Sequence, residues 1–226
     1  MTSDPTDLSW DHVPGNLLRI RAQIREHAER AGRDPEEIDL LAVSKTVPVA
    51  AIRAALAAGQ RHFGENRVQE GLPKIAALQD SGARFHMIGH LQTNKAKLAT
   101  AFDMIESVDS ERVATALNRH ATARLAVLLE VNIAGEASKF GIAPADVSAV
   151  VDAVKGMPNL EVQGLMTVAP LVADPEEVRP VFRALRQLGG TCELDTLSMG
   201  MTNDFRVAIA EGATIVRIGR AIFGDR

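Results

Sequence analysis

The chain of 226 residues contains one cysteine, Cys192, and no tyrosine. A single cysteine cannot form a disulfide within the chain, and it excludes a zinc site made of several cysteines. Low cysteine content is typical of proteins in a reducing compartment, so we expect a cytoplasmic protein. The absence of tyrosine removes the phenol group from the acids and bases that the chain could use.

Long apolar runs and an excess of basic residues are also missing. No apolar run reaches the roughly 18 residues that a membrane-spanning helix needs. The N-terminal segment MTSDPTDLSWDHVP has no basic stretch followed by an apolar one, so we expect no secretory signal. The net charge of −4 provides no positive field that would favour nucleic acid. We therefore expect neither a membrane nor a nucleic-acid partner, and we interpret residues 1–13 as a flexible tail.

Apolar residues make up 46% of the chain, and they recur in short strands that alternate with helices. The predicted strands are IDLLAVSK, RHFGEN, RFHMIGHL, MIESV, LAVLLEVNI, LEVQGLMTVA, TLSMGM and TIVRIG. Strands that alternate with helices indicate a parallel sheet, and eight such units in one chain predict a TIM-type (β/α)8 barrel. This α/β domain would span residues 14–226, with an extra N-terminal helix that begins near Pro14. The alternative is an open doubly wound sheet.

Candidate functional residues lie where these strands end, because barrels of this type carry their sites at the carboxyl ends of the strands. Ser198 and Gly200 follow the seventh strand, and Gly219 and Arg220 follow the eighth. The loops after these two strands are the usual phosphate site of such barrels, and glycines let backbone N–H groups approach an anion closely. These four residues therefore predict a phosphate-binding corner, although glycines that serve only as turn residues would give the same pattern.

Lys45 follows the first strand in the segment LLAVSKT. A lysine on a rigid strand end that faces a phosphate corner suits Schiff-base chemistry, and the alternative is a solvated surface lysine. Two reaction classes fit the residues: a lysine-dependent aldolase and a pyridoxal-phosphate site. Arg217 lies inside the eighth strand, where a buried arginine is costly unless it is paired. Such an arginine is a recurrent partner of the pyridine nitrogen of pyridoxal phosphate.

Seven segments resemble, in order, the motifs of the pyridoxal-phosphate homeostasis protein family, which is related to the N-terminal barrel of alanine racemase. They are LLAVSKTVP, HFGENRVQE, FHMIGHLQTNK, SKFGI, GLMTVAP, LSMGMTNDF and VRIGRAIFG. The resemblance extends from about residue 14 to residue 224. It implies a single barrel that carries pyridoxal 5′-phosphate (PLP) as a Schiff base on Lys45, with Arg217 at the pyridine nitrogen.

The resemblance also implies roles for residues around the cofactor. Ser198, Gly200 and the backbone at Gly219 and Arg220 would hold the phosphate, Asn66 would lie near the Schiff base, His86 beside the ring, and Lys139 near the mouth of the barrel. The chain departs from the family at two places. Arg220 stands where the family often has a small hydroxyl residue, and Thr202-Asn203-Asp204 replaces the common Ser-x-Asp.

The resemblance favours a non-enzymatic carrier that buffers PLP in the cell and delivers it to PLP-dependent apo-enzymes. Alanine racemases use two bases, the cofactor lysine and a tyrosine from a second domain. This chain has no tyrosine, so a racemase of that kind is disfavoured. A weak racemase or related enzyme remains the alternative, with Cys192 or a histidine as the second base, and the motif match disfavours a phosphosugar aldolase. We expect a monomer.

Overall fold

Eight parallel strands close into a barrel in the computed structural model of the chain, which describes residues 9–136 and 140–224. Each strand pairs with the next along the chain, and the first pairs with the last. The strands are β1 (Asp39–Val43), β2 (His62–Glu65), β3 (Arg84–Met87), β4 (Met104–Val108), β5 (Leu125–Glu130), β6 (Leu160–Met166), β7 (Thr196–Ser198) and β8 (Ile215–Ile218). The prediction of a (β/α)8 barrel is confirmed, and the alternative of an open sheet is wrong.

Helices cover the outside of the barrel. In the described part of the chain they are α1 (His12–Arg30), α2 (Val49–Ala57), α3 (Val68–Ala77), α4 (Ala96–Ala99), α5 (Glu111–His120), α6 (Val147–Lys155), α7 (Arg179–Thr191), α8 (Phe205–Ala210) and α9 (Arg220–Phe223). Short 3-10 helices lie at Pro35–Glu37, Thr93–Lys95, Pro144–Asp146 and Pro175–Val178. Within the ranges described, no helix has both the length and the apolar character to cross a membrane.

Helix α1 packs against α2, α8 and α9, so it covers the gap between the first and last units of the barrel. It begins at His12, two residues before the start that the sequence predicts at Pro14. The side chain of Asn16 donates a hydrogen bond to the carbonyl oxygen of Ile222 at 2.9 Å, and His12 Nε2 lies 3.3 Å from the carbonyl oxygen of Phe223. These contacts hold the end of the chain beside its beginning.

The barrel has an apolar layer outside the strands and a mixed interior. Side chains alternate between these two faces along each strand. Outward residues such as Phe63, Phe85 and Leu129 pack against the helices in one large core. A small apolar layer fills part of the interior, formed by Leu41, Leu128, Met166 and Ile215. The remaining interior positions include polar and charged side chains, and these position the candidate site.

Candidate functional site

A cavity of about 740 Å³ opens at the carboxyl ends of β1 and β8 and beside the loops that follow β6 and β7. Its polar lining consists of Lys45, Thr202, Asn203, Asp204, Arg217 and Arg220, and Gly219 lies among them. Apolar side chains at its edge are Ala169, Pro170, Leu171 and Met201. This volume is in the range of roughly 300–1,000 Å³ that is usual for small-molecule and cofactor sites. We call it the mouth cavity.

Lys45 reaches the mouth cavity from a loop whose backbone is held on both sides. Its own side chain is exposed, whereas the preceding Ser44 is fully buried. Lys74 Nζ on α3 donates a hydrogen bond to the carbonyl oxygen of Ser44 at 2.8 Å. The N–H of Thr46, a non-glycine residue with φ of 60°, donates to Oε1 of Glu70. The lysine therefore has a fixed backbone and a free amine.

A buried ion-pair cluster lies beneath this loop. Lys74 Nζ is 2.9 Å from Oε1 of Glu65 and 2.9 Å from Oε1 of Glu70, and Ser44 Oγ donates to Oε1 of Glu65 at 2.5 Å. Burial raises the pKa of Glu65, while the hydrogen bonds from Ser44 and Lys74 and the charge of Lys74 oppose that shift. The cluster holds the end of β1 against α3. We call its four residues, Ser44, Glu65, Glu70 and Lys74, the clamp.

Arg217 lies inside the barrel with only 4% of its surface exposed, and it forms part of the wall of the mouth cavity. One nitrogen donates to Ser198 Oγ at 2.7 Å, and another donates to the carbonyl oxygen of Thr167 at 2.7 Å. Burial lowers the pKa of Arg217, and the carboxyl groups of Glu106, Glu130 and Asp204 oppose that shift. A fixed cation thus forms the floor of the cavity on the β8 side.

Ser198 links Arg217 to a carboxylate across the barrel. Its hydroxyl donates to Oε2 of Glu106 at 2.5 Å, and Oε1 of Glu106 lies 2.7 Å from Nδ1 of His86. Burial would raise the pKa of Glu106, but hydrogen bonds and charges from His86 and Arg217 outweigh it, and the pKa is lowered. His86 Nε2 is in turn 3.1 Å from Nδ1 of His62. The interior polar residues therefore form one continuous chain.

The loop after β7 is shaped by Gly200, whose φ is 93°. A Cβ atom at this position would lie 2.5 Å from the Cβ of Ala208, so no larger residue fits without a shift. The carbonyl oxygen of Gly200 accepts a hydrogen bond from the N–H of Arg217 at 2.9 Å. One residue later, the N–H of Met201 donates to Oδ1 of Asp204 at 2.6 Å, and burial raises the pKa of Asp204. The loop thereby brings residues 201–204 to the cavity wall.

The last residue of β5 adds a second acidic group to the interior. Glu130 follows Leu128 by two positions, so it shares the inward face of the strand. Burial raises its pKa to about 7, with a smaller opposing effect from Arg217 and a further rise from Asp109. A carboxyl group that titrates near neutral pH is rare in a folded protein, and such groups often lie at functional sites.

The structure brings together only some of the site residues that the sequence predicts. Lys45, Arg217, Gly219 and Arg220 line the mouth cavity. Asn66, His86, Ser198 and Gly200 are not among its lining residues.

The residues away from the lining have other positions. Ser198 contacts Arg217, and Gly200 supports the backbone of Arg217. Asn66 follows β2 and is half-buried, and His86 lies deeper in the barrel. The predicted contacts of these residues with a cofactor stay predictions, and Lys139 lies outside the described residues.

Sequence reasoning missed several residues that shape the site. Glu106 is an acid within the apolar strand MIESV, and that pattern could have indicated an inward-facing partner for Arg217. The clamp residues Glu70 and Lys74 left no such signal, because charged residues on an amphipathic helix are usually solvated. Asp204 appeared only as part of a departure from the family pattern, yet it is one of the residues that line the cavity.

Comparison with known proteins identifies relatives over almost the whole chain. Residues 16–226 match the family model described as alanine racemase, N-terminal domain. A pyridoxal phosphate homeostasis protein of Pseudomonas aeruginosa is 48% identical over 220 residues, which cover 95% of this chain and 96% of that protein. The protein of the same name from Escherichia coli K12 is 46% identical over 230 residues, covering 95% and 97% of the two chains.

Solved structures give the same result for the fold. PipY of Synechococcus elongatus with PLP bound superimposes with a TM-score of 0.82 at 38% identity, covering 94% of this chain and 100% of PipY. An unknown protein from Bifidobacterium adolescentis gives 0.88 at 36% identity, covering 98% of each chain. Alanine racemase from Corynebacterium glutamicum gives 0.70 at 17% identity, covering 96% of this chain and 62% of the racemase, which shows a shared fold.

Proposed function

Because this chain belongs to the family of pyridoxal phosphate homeostasis proteins, we propose that it binds PLP in the mouth cavity and holds it as a Schiff base on Lys45. One observation carries the proposal: the exposed amine of Lys45 and the buried guanidinium of Arg217 line the same cavity. An amine and a fixed donor that line one cavity suit a ligand that has an aldehyde and a ring nitrogen.

The residues present fit this cofactor. When bound, PLP supplies an aldehyde that captures amines reversibly. Arg217 cannot give up its proton readily, so it would donate a hydrogen bond to the ring nitrogen and keep that nitrogen unprotonated. Arg220 and the residues around Gly219, which line the same cavity, would receive the phosphate. The contacts predicted for Ser198, Gly200, Asn66 and His86 belong to this proposal as well.

We further propose that the chain stores and delivers PLP. Two observations support storage: the sequence has no tyrosine, and Cys192 is buried beside Ser148, outside the lining of the mouth cavity. Bound PLP would leave when water or an incoming amine displaces Lys45, and PLP-dependent apo-enzymes would receive it. A monomeric protein in the cytoplasm is the form in which we expect this exchange.

The alternative, a weak PLP-dependent racemase, is favoured by Asp204. Its carboxyl group lines the same cavity as Lys45, and burial raises its pKa, as a proton-transferring group requires. The N–H of Met201 engages one of its oxygens at 2.6 Å. This hydrogen bond favours the carboxylate form and thereby weakens the case for catalysis.

Reduction and peptide mapping test the proposed binding. Protein mixed with PLP and reduced with borohydride should carry a PLP label on the peptide that contains Lys45. The Lys45→Ala variant should carry none, whereas Lys97→Ala, a change at an exposed helix lysine, should label normally. Absence of the label from wild-type protein would sink the assignment of the cofactor.

Proton exchange separates the carrier from the enzyme. PLP-loaded protein is incubated in deuterated water with a panel of L-amino acids, and deuterium at the α-carbon is measured. A carrier gives no more exchange than free PLP does. Exchange at ordinary turnover rates that is lost in Asp204→Asn would overturn the carrier and support the racemase.

A further inference from the structure

Five side chains form a hydrogen-bonded chain that crosses the barrel. Arg217 donates to Ser198 Oγ at 2.7 Å, and Ser198 donates to Glu106 at 2.5 Å. Glu106 lies 2.7 Å from His86 Nδ1, and His86 Nε2 lies 3.1 Å from His62 Nδ1. Each link is within hydrogen-bonding distance, so the polar path is unbroken from β8 to β2.

This hydrogen-bonded chain of side chains joins two cavities at opposite ends of the barrel. Arg217 lines the mouth cavity, whereas His62 and His86 line a second cavity of about 480 Å³. The second cavity is bordered by Asp39, Arg84 and Met104, which begin their strands, so it lies at the amino ends of the strands. A proton can therefore enter the hydrogen-bonded chain from the end of the barrel that is remote from Lys45.

The partners fix the direction of every hydrogen bond. Glu106 only accepts, so Ser198 donates its hydroxyl proton and His86 donates from Nδ1. Neutral His86 then accepts at Nε2, and His62 donates from Nδ1. The Nε2 atom of His62 is left to take up a proton from the second cavity.

We propose that Glu106, His86 and His62 are positioning residues for Arg217, and that a proton taken up by the two imidazoles at the amino end changes the charge that the mouth cavity experiences. The inference rests on the proposed binding of PLP, because PLP is the ligand whose binding would respond. Ser198 transmits the effect as the link between Glu106 and Arg217.

Charge balance inside the barrel gives the physical reason. With both imidazoles neutral, the carboxylate of Glu106 compensates the guanidinium of Arg217. One added proton makes this buried group net positive, and charges act over longer distances inside a protein than in water. A ligand that carries a phosphate is net anionic, so protonation of the imidazoles should strengthen its binding. By thermodynamic reciprocity, the bound ligand should raise the pKa of the imidazole pair.

Charged groups on several strands and loops face the hydrogen-bonded chain. The charges of Asp39, Arg84 and Asp103 act on His62. Burial and the neighbouring His86 lower the pKa of His62 from the ordinary histidine value. Glu106 faces His86, and Glu130 and Asp204 face Arg217 at the mouth. The two imidazoles are in direct contact, so uptake of a proton by one affects the other.

Histidine NMR titration tests the coupling. The ring signals of His62 and His86 are followed from pH 4.5 to 8 with and without saturating PLP. Bound PLP should raise the midpoint of the pair by about 0.5 pH unit, about a threefold coupling. The exposed His120 at the end of α5 is the internal control, and its midpoint should not move. Equal midpoints in both states, with PLP trapped on Lys45, would overturn the inference.

Two variants interrupt the hydrogen-bonded chain, and together they separate this proposal from the proposed binding of PLP. Ser198→Ala removes the link between Arg217 and Glu106, so PLP should shift the midpoint of the pair by less than it does in wild type. Arg217→Met, studied without PLP, should raise that midpoint because a buried cation is lost. If wild-type protein traps no PLP, the proposed function fails. The Arg217→Met measurement then decides the coupling by itself, and an unchanged midpoint overturns it.

Discussion

The side-chain ammonium of Lys74 lies 2.8 Å from the carbonyl oxygen of Ser44, the residue directly before Lys45. Helix α3 thus holds the backbone of the loop that carries the predicted Schiff-base lysine. Glu70 on the same helix holds the N–H of Thr46 on the other side of Lys45. A functional side chain is placed accurately when its neighbours lock the backbone beneath it, and this clamp meets that condition.

Replacing Lys74 by methionine should destabilise the protein by about 3–5 kcal/mol, because a buried ion pair loses one partner. Glu65 would remain fully buried, and its Oε2 already has no hydrogen-bond partner within residues 9–136 and 140–224. Urea denaturation measures the loss. Lys97→Met, at an exposed lysine of α4, is the matched control and should change the free energy of unfolding by no more than about 0.5 kcal/mol.

A double variant separates the charge from the packing. Glu65→Leu together with Lys74→Met removes the fully buried carboxylate along with its partner. Glu70 loses Lys74 as well, but it is partly exposed and keeps the N–H of Thr46, so the double variant should be less destabilised than Lys74→Met alone. A double variant that is as unstable as the single one would show that the clamp stabilises through shape rather than charge.

Gly200→Ala should destabilise the protein by about 2 kcal/mol or more, through a left-handed backbone and a steric clash. The φ of 93° disfavours alanine, and the new Cβ would lie 2.5 Å from that of Ala208. Gly190→Ala in α7 is the matched control, because no described atom outside the neighbouring helix backbone lies within 4 Å of its Cβ position. That change should stabilise by about 0.5–1 kcal/mol through helix propensity. Thermal and urea unfolding of both variants give the comparison.

Glu130 should make stability fall as pH rises from 5 to 8. Its folded pKa is about 7 against an ordinary 4.5. Between these values the folded protein keeps a proton that the unfolded chain has released, and the free energy of unfolding decreases with pH. Glu130→Gln cannot ionise. Relative to wild type, the variant should therefore gain about 2–3 kcal/mol of stability between pH 5 and pH 8, as measured by urea unfolding at both pH values.

Arg220→Ser should weaken PLP binding by about three- to tenfold at low salt and by less at high salt, because an exposed charge is screened by ions. Arg220 is exposed at the edge of the mouth cavity. Titration with PLP at about 50 mM and about 500 mM salt measures the effect, because the distance over which ions screen a charge falls several-fold across this range. Arg119→Ser at the end of α5 is the control. Equal salt dependence in the Arg220 variant and wild type would mean that this arginine faces solvent.

The sequence predicted the barrel well because its signals are local and repeated. Each strand carries an apolar pattern of its own, and helix caps add further evidence: Ser110 accepts a hydrogen bond from the N–H of Val113, as its position before α5 suggests. Eight such units leave few alternative folds. The position of Lys45 at the end of β1 follows from the same pattern.

The interior contacts were less predictable, because they join residues that are remote in sequence. Ser198 could be assigned to a phosphate corner from its place at the end of β7, and that role stays a prediction. The contact of its hydroxyl with Glu106, 92 positions earlier, had no such signal, because that pairing depends on how the barrel closes. The resemblance implies that His86 lies beside the ring of PLP, and this stays a prediction. The contact of His86 Nε2 with His62 Nδ1 at 3.1 Å had no signal in the sequence. Strand register across a barrel decides such contacts, and no local pattern encodes it.

Closure of the barrel by pairing of β1 with β8 has a consequence for synthesis. Leu41 is opposite Arg217 and Ala42 is opposite Ile218, so Lys45 and Gly219 meet at the seam between the first and last strands. During synthesis, Arg217, Gly219 and Arg220 are added to the wall of the mouth cavity only when β8 and the residues after it have been made. The cavity beside Lys45 is therefore complete only in a closed barrel, and the binding of PLP proposed above would report that closure.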